Sequence, residues 1–310
     1  MKVFVLGSYV SAHSLTLSRL PQLGESLEAL AVWSEHGGKG LNVAVGLHRL
    51  GVEVAVLIAT GQDQEGRNLR EVLLQEGMNA DYVMSFPGRS GFGIGLIGPN
   101  AQNWIAICAG ANGLLNPQHI QAVAQTLQQA QLVYAQFEIP EAPILAAFEL
   151  ARASGTKTLL NPSPWRLPSQ ALLQVTDYLI VNEREAACWL NLSSLPESPQ
   201  LWLNLLRQLQ PFEHWSGQVC IVTLGEQGCI AWRRGDSEPC HIASYPVQVS
   251  DATGAGDAFS AGFVWAHGAG FEWLECLKLA NACGAQVVSR LGVLAALPKV
   301  EELMRFRALY

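Results

Sequence analysis

Short apolar runs alternate with amphipathic stretches along most of this chain. The first, Val3 to Leu6, is unbroken and apolar, as expected of a strand buried on both faces. Runs at Val54 to Ala59, 131–135, 157–160, 178–181 and 219–223 predict further strands, and another resumes over Cys229 to Arg233. Between them, apolar residues recur at helical spacing over Gln64 to Gln75, 117–129, 141–153, 183–191, 199–210 and 273–289. This alternation predicts an α/β fold with a mostly parallel sheet flanked by helices. Two pieces break the rhythm. Leu15 to Leu20 and Ser26 to Ser34 are short extended candidates split by Pro21 and Gly24. Phe92 to Ile97 and Asn103 to Cys108 flank Gly98-Pro99-Asn100-Ala101 and read as a β-hairpin. Both look antiparallel, which predicts a separate small sheet inserted at about 11–35 and 88–107 of one domain spanning 1–310.

Two glycine-rich turns carry the candidate chemistry. In Ser250-Asp251-Ala252-Thr253-Gly254-Ala255-Gly256-Asp257-Ala258-Phe259, an extended segment (Tyr245 to Val249) runs into an apolar helix predicted from Ala258 to Ala266. Glycines let a ligand approach the main chain, and the free N–H groups at a helix start make an anion site. A carboxylate there repels an anion if holding phosphate is the only task. Asp257 makes sense as a base that takes a proton from a hydroxyl while the amides of Gly254, Ala255 and Gly256 hold the phosphoryl group it attacks. A capped helix after a glycine turn is the plainer alternative for this stretch taken alone.

The second turn is His36-Gly37-Gly38-Lys39-Gly40-Leu41-Asn42, which feeds another helix. It is not a Walker P-loop, since no Ser or Thr follows Lys39. A tight turn with a solvated lysine is its plainer reading. The first strand runs into Gly7-Ser8-Tyr9-Val10-Ser11-Ala12-His13, with one glycine, which disfavours a simple dinucleotide-binding fold. Polar residues cluster just beyond strand ends: Gln136, Glu138, Asn161, Asn182 and Glu185. In open parallel sheets that is where ligands bind.

Composition narrows the partners. The 310 residues are 49% hydrophobic and 15% charged, with a formal net charge of -7. No basic stripe is present, so nucleic acid and anionic membranes are poor partners. The start of the chain reads as a first strand and not a signal peptide, and no apolar run has the length of a membrane span. The seven cysteines form no C-x-x-C pair and read as reduced core thiols, which suits a cytoplasmic protein.

From Val3 to about Pro298 the chain resembles the ribokinase-like (PfkB) family of sugar kinases. The resemblance rests on Gly37-Gly38-Lys39-Gly40-Leu41-Asn42, on Asp251-Ala252-Thr253-Gly254-Ala255-Gly256-Asp257, and on Asn182-Glu183-Arg184-Glu185 as the family's N-x-x-E motif. Ala109-Gly110-Ala111-Asn112, Asn161-Pro162-Ser163-Pro164 and the loop from Thr223 to Gly228 are also similar. The resemblance implies a three-layer α/β fold with a small β-sheet lid, and ATP-dependent phosphorylation of a hydroxyl. It implies Asp257 as base, with Gly38, Lys39, Asn42, Glu138 and Asp251 around the acceptor. Asn182, Thr223, Gly225, Gly228 and Asn281 would meet the nucleotide. Glu185 would act on Mg2+ through water. The carbonyls of Asp251, Thr253, Val287, Arg290 and Gly292 would hold a monovalent cation such as K+. Pairing of lids between two chains, as similar kinases do, would give a homodimer.

The chain departs from the family at the acceptor. The family's sugar-gripping Asp corresponds to Ala12, and Val10 replaces the Asn before it. A site that loses such a bond changes its substrate choice, so ribose itself is not the expected acceptor. Ser11, His13 and Trp104 are candidates for other contacts. The family's last cation ligand, a Ser, is Ala296 here. Three readings follow: a kinase of a sugar or sugar derivative, a nucleoside kinase, and a non-catalytic sugar-binding protein of the same fold.

Overall fold

The structure, a computed structural model, describes residues 1–99 and 103–310; Asn100 and Ala101 of the predicted hairpin turn lie outside the described residues. In chain order the strands are β1 (Lys2–Leu6), β2 (Val10–Thr16), β3 (Ala31–Gly37), β4 (Glu53–Gly61), β5 (Val83–Phe86), β6 (Gly91–Ile97), β7 (Asn103–Cys108), β8 (Leu132–Gln136), β9 (Lys157–Asn161), β10 (Tyr178–Asn182), β11 (Val219–Thr223), β12 (Cys229–Arg233) and β13 (Cys240–Ile242). Nine of them form a sheet in the order β13-β12-β11-β10-β9-β8-β1-β4-β5, parallel from β11 to β5 and antiparallel through β12 and β13.

The alternation of side chains along β1 shows why helices cover both faces. Val3 and Val5 enter one core with residues of the helices Lys39–Arg49, Ala255–Gly268, Trp273–Val288 and Val300–Arg307. Phe4 and Leu6 enter the other, with residues of the helices Pro117–Ala122, Glu141–Ala153 and Pro199–Leu209. The result is a three-layer α/β fold. Helices 39–49 and 255–268 approach closely because Gly46 has no side chain: a methyl there would stand 3.0 Å from Ala261 Cβ. That contact brings the two glycine-rich turns together.

The four remaining strands form a separate sheet in the order β3-β2-β6-β7. β2 pairs antiparallel with β3 and parallel with β6, and β6 pairs antiparallel with β7, so the predicted hairpin and ribbon belong to one small sheet.

Several element limits differ from expectation. β2 and β3 lie at 10–16 and 31–37, not 15–20 and 26–34, because polar and small residues such as Ser11, Ala12 and His13 also occupy strand positions. The 117–129 helix is interrupted at Val123, whose φ of -115° and ψ of 9° depart from helical geometry. Tyr245 to Val249 forms no strand; Pro246 lacks an amide, and the segment lines a cavity instead. The strands β5 and β13 are too short for periodicity to reveal. All seven cysteines are free; four are buried, while Cys108 and Cys188 are exposed. Among the described residues no helix is long and apolar enough to cross a membrane.

Candidate active site

Two helix starts converge here. Helix 255–268 begins at Gly254, in the left-handed region at φ 80°, and no side chain caps it. It starts three residues earlier than its apolar run suggested, so Asp257 lies inside the first turn. The first amides of a helix have no partner within it; here Ala255 N reaches Ala252 O at 3.5 Å, while the amides of Gly254, Gly256 and Asp257 make no hydrogen bond among the described residues. A Cβ on Gly254 would come within 2.4 Å of Val293 Cγ1, so the 289–296 segment presses directly on this turn.

Helix 39–49 begins at Gly38, φ 110°, which has no side chain to cap it, so Ser8 and Glu138 bond its first amides instead. The turn is folded tightly onto the end of β1. A Cβ on Gly38 would meet Ser8 O at 2.6 Å, and one on Gly40 would meet Gly7 Cα at 2.2 Å. Ser8 Oγ accepts from Gly40 N at 3.1 Å and donates to Glu138 Oε2 at 2.5 Å. Lys39 N donates to the same Glu138 oxygen at 2.8 Å. Glu138 follows β8, so it pins the lysine turn to the sheet end.

The charged centre is Asp257, only 4% exposed. Asn42 Nδ2 donates to Asp257 Oδ2 at 2.7 Å. Lys39 Nζ stands 3.7 Å from Asp257 Oδ1, an ion pair too long for a hydrogen bond. Oδ1 is buried and takes no hydrogen bond among the described residues. A lysine at a helix start opposes the helix dipole. Here Asp257 chiefly holds its ammonium above the ordinary lysine range against the opposing effect of burial, and Glu138 and Glu185 add to the rise. Burial pushes the Glu138 carboxyl upward, while Ser8, Lys39 and the Lys39 amide pull it back.

In front of Asp257 lies a cleft of about 410 Å³ lined by Lys39, Asn182, Thr223, Gly225 and the 254–257 turn. It adjoins a more apolar cavity of about 710 Å³ lined by Gly228, Tyr245, Phe259 and Asn281 among others. The two share Thr223, Gly225, Ala252, Ala255 and Gly256. A polar cleft at a carboxylate, continuous with an apolar cavity, suits a ligand with a phosphate chain at one end and a flat ring at the other.

The sequence profile described as "pfkB family carbohydrate kinase" matches residues 2–300. The chain belongs to the pfkB family of carbohydrate kinases. As a member it is a phosphotransferase with an alcohol group as acceptor. It is 30% identical over 307 residues to a mouse (Mus musculus) ribokinase, covering 97% of this chain and 93% of the relative. It is 29% identical over 311 residues to a deoxyribokinase of Salmonella typhi, covering 100% and 99%. Among solved structures, an Arabidopsis thaliana ribokinase complexed with ribose and ATP superposes with a TM-score of 0.89 at 25% identity, covering 98% of each chain.

In this pfkB kinase the predicted site residues fall into three groups. Lys39, Asn182, Thr223, Gly225 and the turn from Gly254 to Asp257 line the cleft itself. Gly228 and Asn281 line the adjoining cavity with Thr223 and Gly225. Asn281 Nδ2 there donates to the carbonyls of Ile242 and Ala243 at 3.1 and 3.2 Å, so its amide also fixes the wall. Gly38, Asn42 and Glu138 line neither of these two spaces; Asn42 bonds Asp257, and Glu138 bonds the Lys39 amide.

Asn182 and Glu185 form a reciprocal capping box: Asn182 Oδ1 accepts from Glu185 N at 2.9 Å, and Glu185 Oε2 accepts from Asn182 N at 2.9 Å. Glu185 is 5% exposed, and its other oxygen accepts no hydrogen bond among the described residues. Asp251 Oδ1 accepts from Thr253 N at 2.9 Å, shaping the turn. The amides of Ser250 and Asp251 donate to Val288 O at 2.7 and 3.2 Å, which joins the 250–253 segment to the end of helix 273–288. The carbonyls predicted to hold a cation come from these neighbouring segments, and Val287 O already accepts from Arg290 N at 3.1 Å.

Ala12 lies on β2, in register with Glu35 of β3. His13 is on the opposite face of the small sheet, bonded to Ser34 Oγ at 2.6 Å and 4.9 Å from the Phe92 ring, so it serves that face. Ser11, 4% exposed, bonds His13 Nε2 at 3.2 Å on the same face. Sequence reasoning missed Ser8 as an organiser. Its signal was weak: a serine directly after the first strand's glycine.

Proposed function

We propose that this kinase transfers the terminal phosphate of ATP to a hydroxyl of a sugar or sugar derivative. The observation that carries the reading is the buried, unbonded Oδ1 of Asp257 beside the free amides of its own helix turn. Asn42 fixes one carboxylate oxygen, which leaves the other to accept the hydroxyl proton. A base that is held rather than rotating contributes by positioning as well as by proton transfer. The Gly254–Gly256 turn holds the transferred phosphoryl group, and Lys39 balances charge on the carboxylate and the phosphate. Asn182 meets the phosphate chain, and the apolar cavity bounded by Gly228, Tyr245 and Asn281 takes the base.

Mg2+ fits this arrangement. Among the described residues no cluster of three or more His, Cys, Asp and Glu side chains gathers to hold a metal. Magnesium bound to a nucleotide needs few protein ligands, because it keeps several waters and rests on phosphates. The unbonded oxygen of Glu185 would receive one of those waters. A monovalent cation would sit on the carbonyls of Asp251, Thr253, Val287, Arg290 and Gly292, with Ala296 supplying no side-chain oxygen. The small sheet acts as a lid over the acceptor and pairs with that of a second chain to form a homodimer. These features suit the cytoplasm, where ATP is present.

A nucleoside acceptor is the second reading, favoured by the small, apolar Ala12 on the lid. The test is ADP release from ATP against D-ribose, 2-deoxy-D-ribose, hexoses and nucleosides. The account predicts saturable turnover with at least one sugar. Saturable sugar binding without ADP release would establish a non-catalytic binding protein instead.

A further inference from the structure

The small sheet turns one face toward the body of the enzyme, and a single row across that face stands out. Register places Glu35 (β3), Ala12 (β2), Gly93 (β6) and Ile107 (β7) side by side. Paired residues of adjacent strands share a face, so the side chains of Glu35, Ala12 and Ile107 point the same way. One of them is polar, and it is a carboxylate. Glu35 shows which way the face looks: its Oε2 accepts from Val293 N at 3.0 Å and would lie 3.2 Å from a Cβ on Gly292. Val293 in turn presses on Gly254, the first residue of the phosphoryl-binding turn. The carboxylate is thus tied to the segment that packs on the catalytic helix.

We propose that Glu35 is an acceptor-binding residue, which supplies from β3 the carboxylate contact that Ala12 cannot make from β2. This inference rests on the kinase reading above. Directly opposed residues of neighbouring strands have Cβ atoms about 4.5–5.5 Å apart, and a glutamate side chain spans that distance. Ala12 beside it is small and only partly buried, which leaves room for a ligand there, whereas Val10 and Ile107 close the space over Gly93. Val293 N holds Oε2, so Oε1 is presented in a fixed direction, with no hydrogen bond among the described residues. A carboxylate can only accept, so it bonds hydroxyl donors and repels anions. The acceptor is therefore a neutral polyol that offers a hydroxyl to Glu35 while another faces Asp257, and sugar phosphates are rejected.

The experiment first assays the wild-type enzyme with neutral sugars, nucleosides and sugar phosphates, then measures KM for the best acceptor and for ATP in Glu35→Ala, Glu35→Gln and the Ala12→Asp/Glu35→Ala double variant. Loss of a bond to a charged group is worth about 10–100-fold in acceptor KM, with ATP KM unchanged. The double variant returns a carboxylate to the row without the Val293 bond, and it is expected to recover acceptor KM at least in part. Should the alanine variant not fold, the glutamine variant carries the comparison. An unchanged acceptor KM overturns the inference and leaves the kinase reading intact. So does a parallel rise in both KM values that Ala12→Asp does not correct, because Glu35 then only anchors Val293. Preference for a sugar phosphate overturns the inference in the same way. Failure to turn over any acceptor removes the kinase reading and the inference with it.

Discussion

Asn42 and Asp257, 215 positions apart in the chain, meet through one 2.7 Å hydrogen bond that occupies a single carboxylate oxygen. The pairing exists because Gly46 lets their two helices close on each other. It leaves Oδ1 as the oxygen that the proposed mechanism uses as base.

Removing that bond leaves the carboxylate free to turn. A hydrogen bond to a charged group is worth about 1.5–3 kcal/mol, so Asn42→Ala is expected to lower kcat by about 10–100-fold. ATP KM should change little, because Asn42 lines neither the cleft nor the adjoining apolar cavity. Steady-state kinetics with ATP varied at saturating acceptor checks this. A fall confined to ATP KM would contradict the positioning role.

Gly254 carries a backbone conformation and a close contact at once. Gly254→Ala puts a methyl in the left-handed region, at about 1–2 kcal/mol, and drives it toward Val293. The variant should melt at a lower temperature and lose most turnover, because the amide turn must shift. Adding Val293→Ala relieves the clash but not the backbone strain, so it should restore stability in part. Calorimetry on the single and double variants decides.

Lys39 gives a pH prediction with a definite sign. Its folded pKa is raised, chiefly by Asp257, so its contribution to stability is fully present below the unfolded lysine value, about 10.4. It is lost only as pH rises through the higher folded value. The stability difference between wild type and Lys39→Met is expected to stay constant from neutral pH to about pH 9.5 and to shrink above about pH 10.4. Denaturant titrations across that range measure it; a difference that fades between pH 6 and 9 would contradict the assignment.

The face of the small sheet opposite Glu35 exposes Val32, Phe92, Ile94 and Trp104. Contiguous exposed apolar groups mark an association surface. If lids pair between chains, wild-type protein runs at twice its 33.5 kDa chain mass and Trp104→Glu runs as a monomer with unchanged circular dichroism. A wild-type monomer at micromolar concentration would contradict the pairing.

The amino-acid pattern reveals most of the frame and much of the candidate site. β1 is legible because four consecutive apolar residues must be buried on both sides, and the site turns are legible because glycine and charge sit together before helical runs. Ser8 and Glu35 are not legible for a physical reason. Ser8 acts through Glu138, 130 positions away, and Glu35 through Val293, 258 positions away. Neither bond leaves a local pattern. The start of helix 255–268 is missed by three residues because Gly-Ala-Gly reads as a turn until packing fixes it. The 245–249 segment has strand composition but borders a cavity, where a ladder partner is replaced by room for a ligand.

The most direct test is the turnover of Asp257→Asn with ATP and the best acceptor. Asparagine keeps the size of the side chain and its place beside Asn42 but cannot take a proton. The account predicts a fall in kcat of about a hundredfold or more, with ATP affinity changed only modestly. Turnover within a few-fold of wild type would contradict the role of Asp257 as the base.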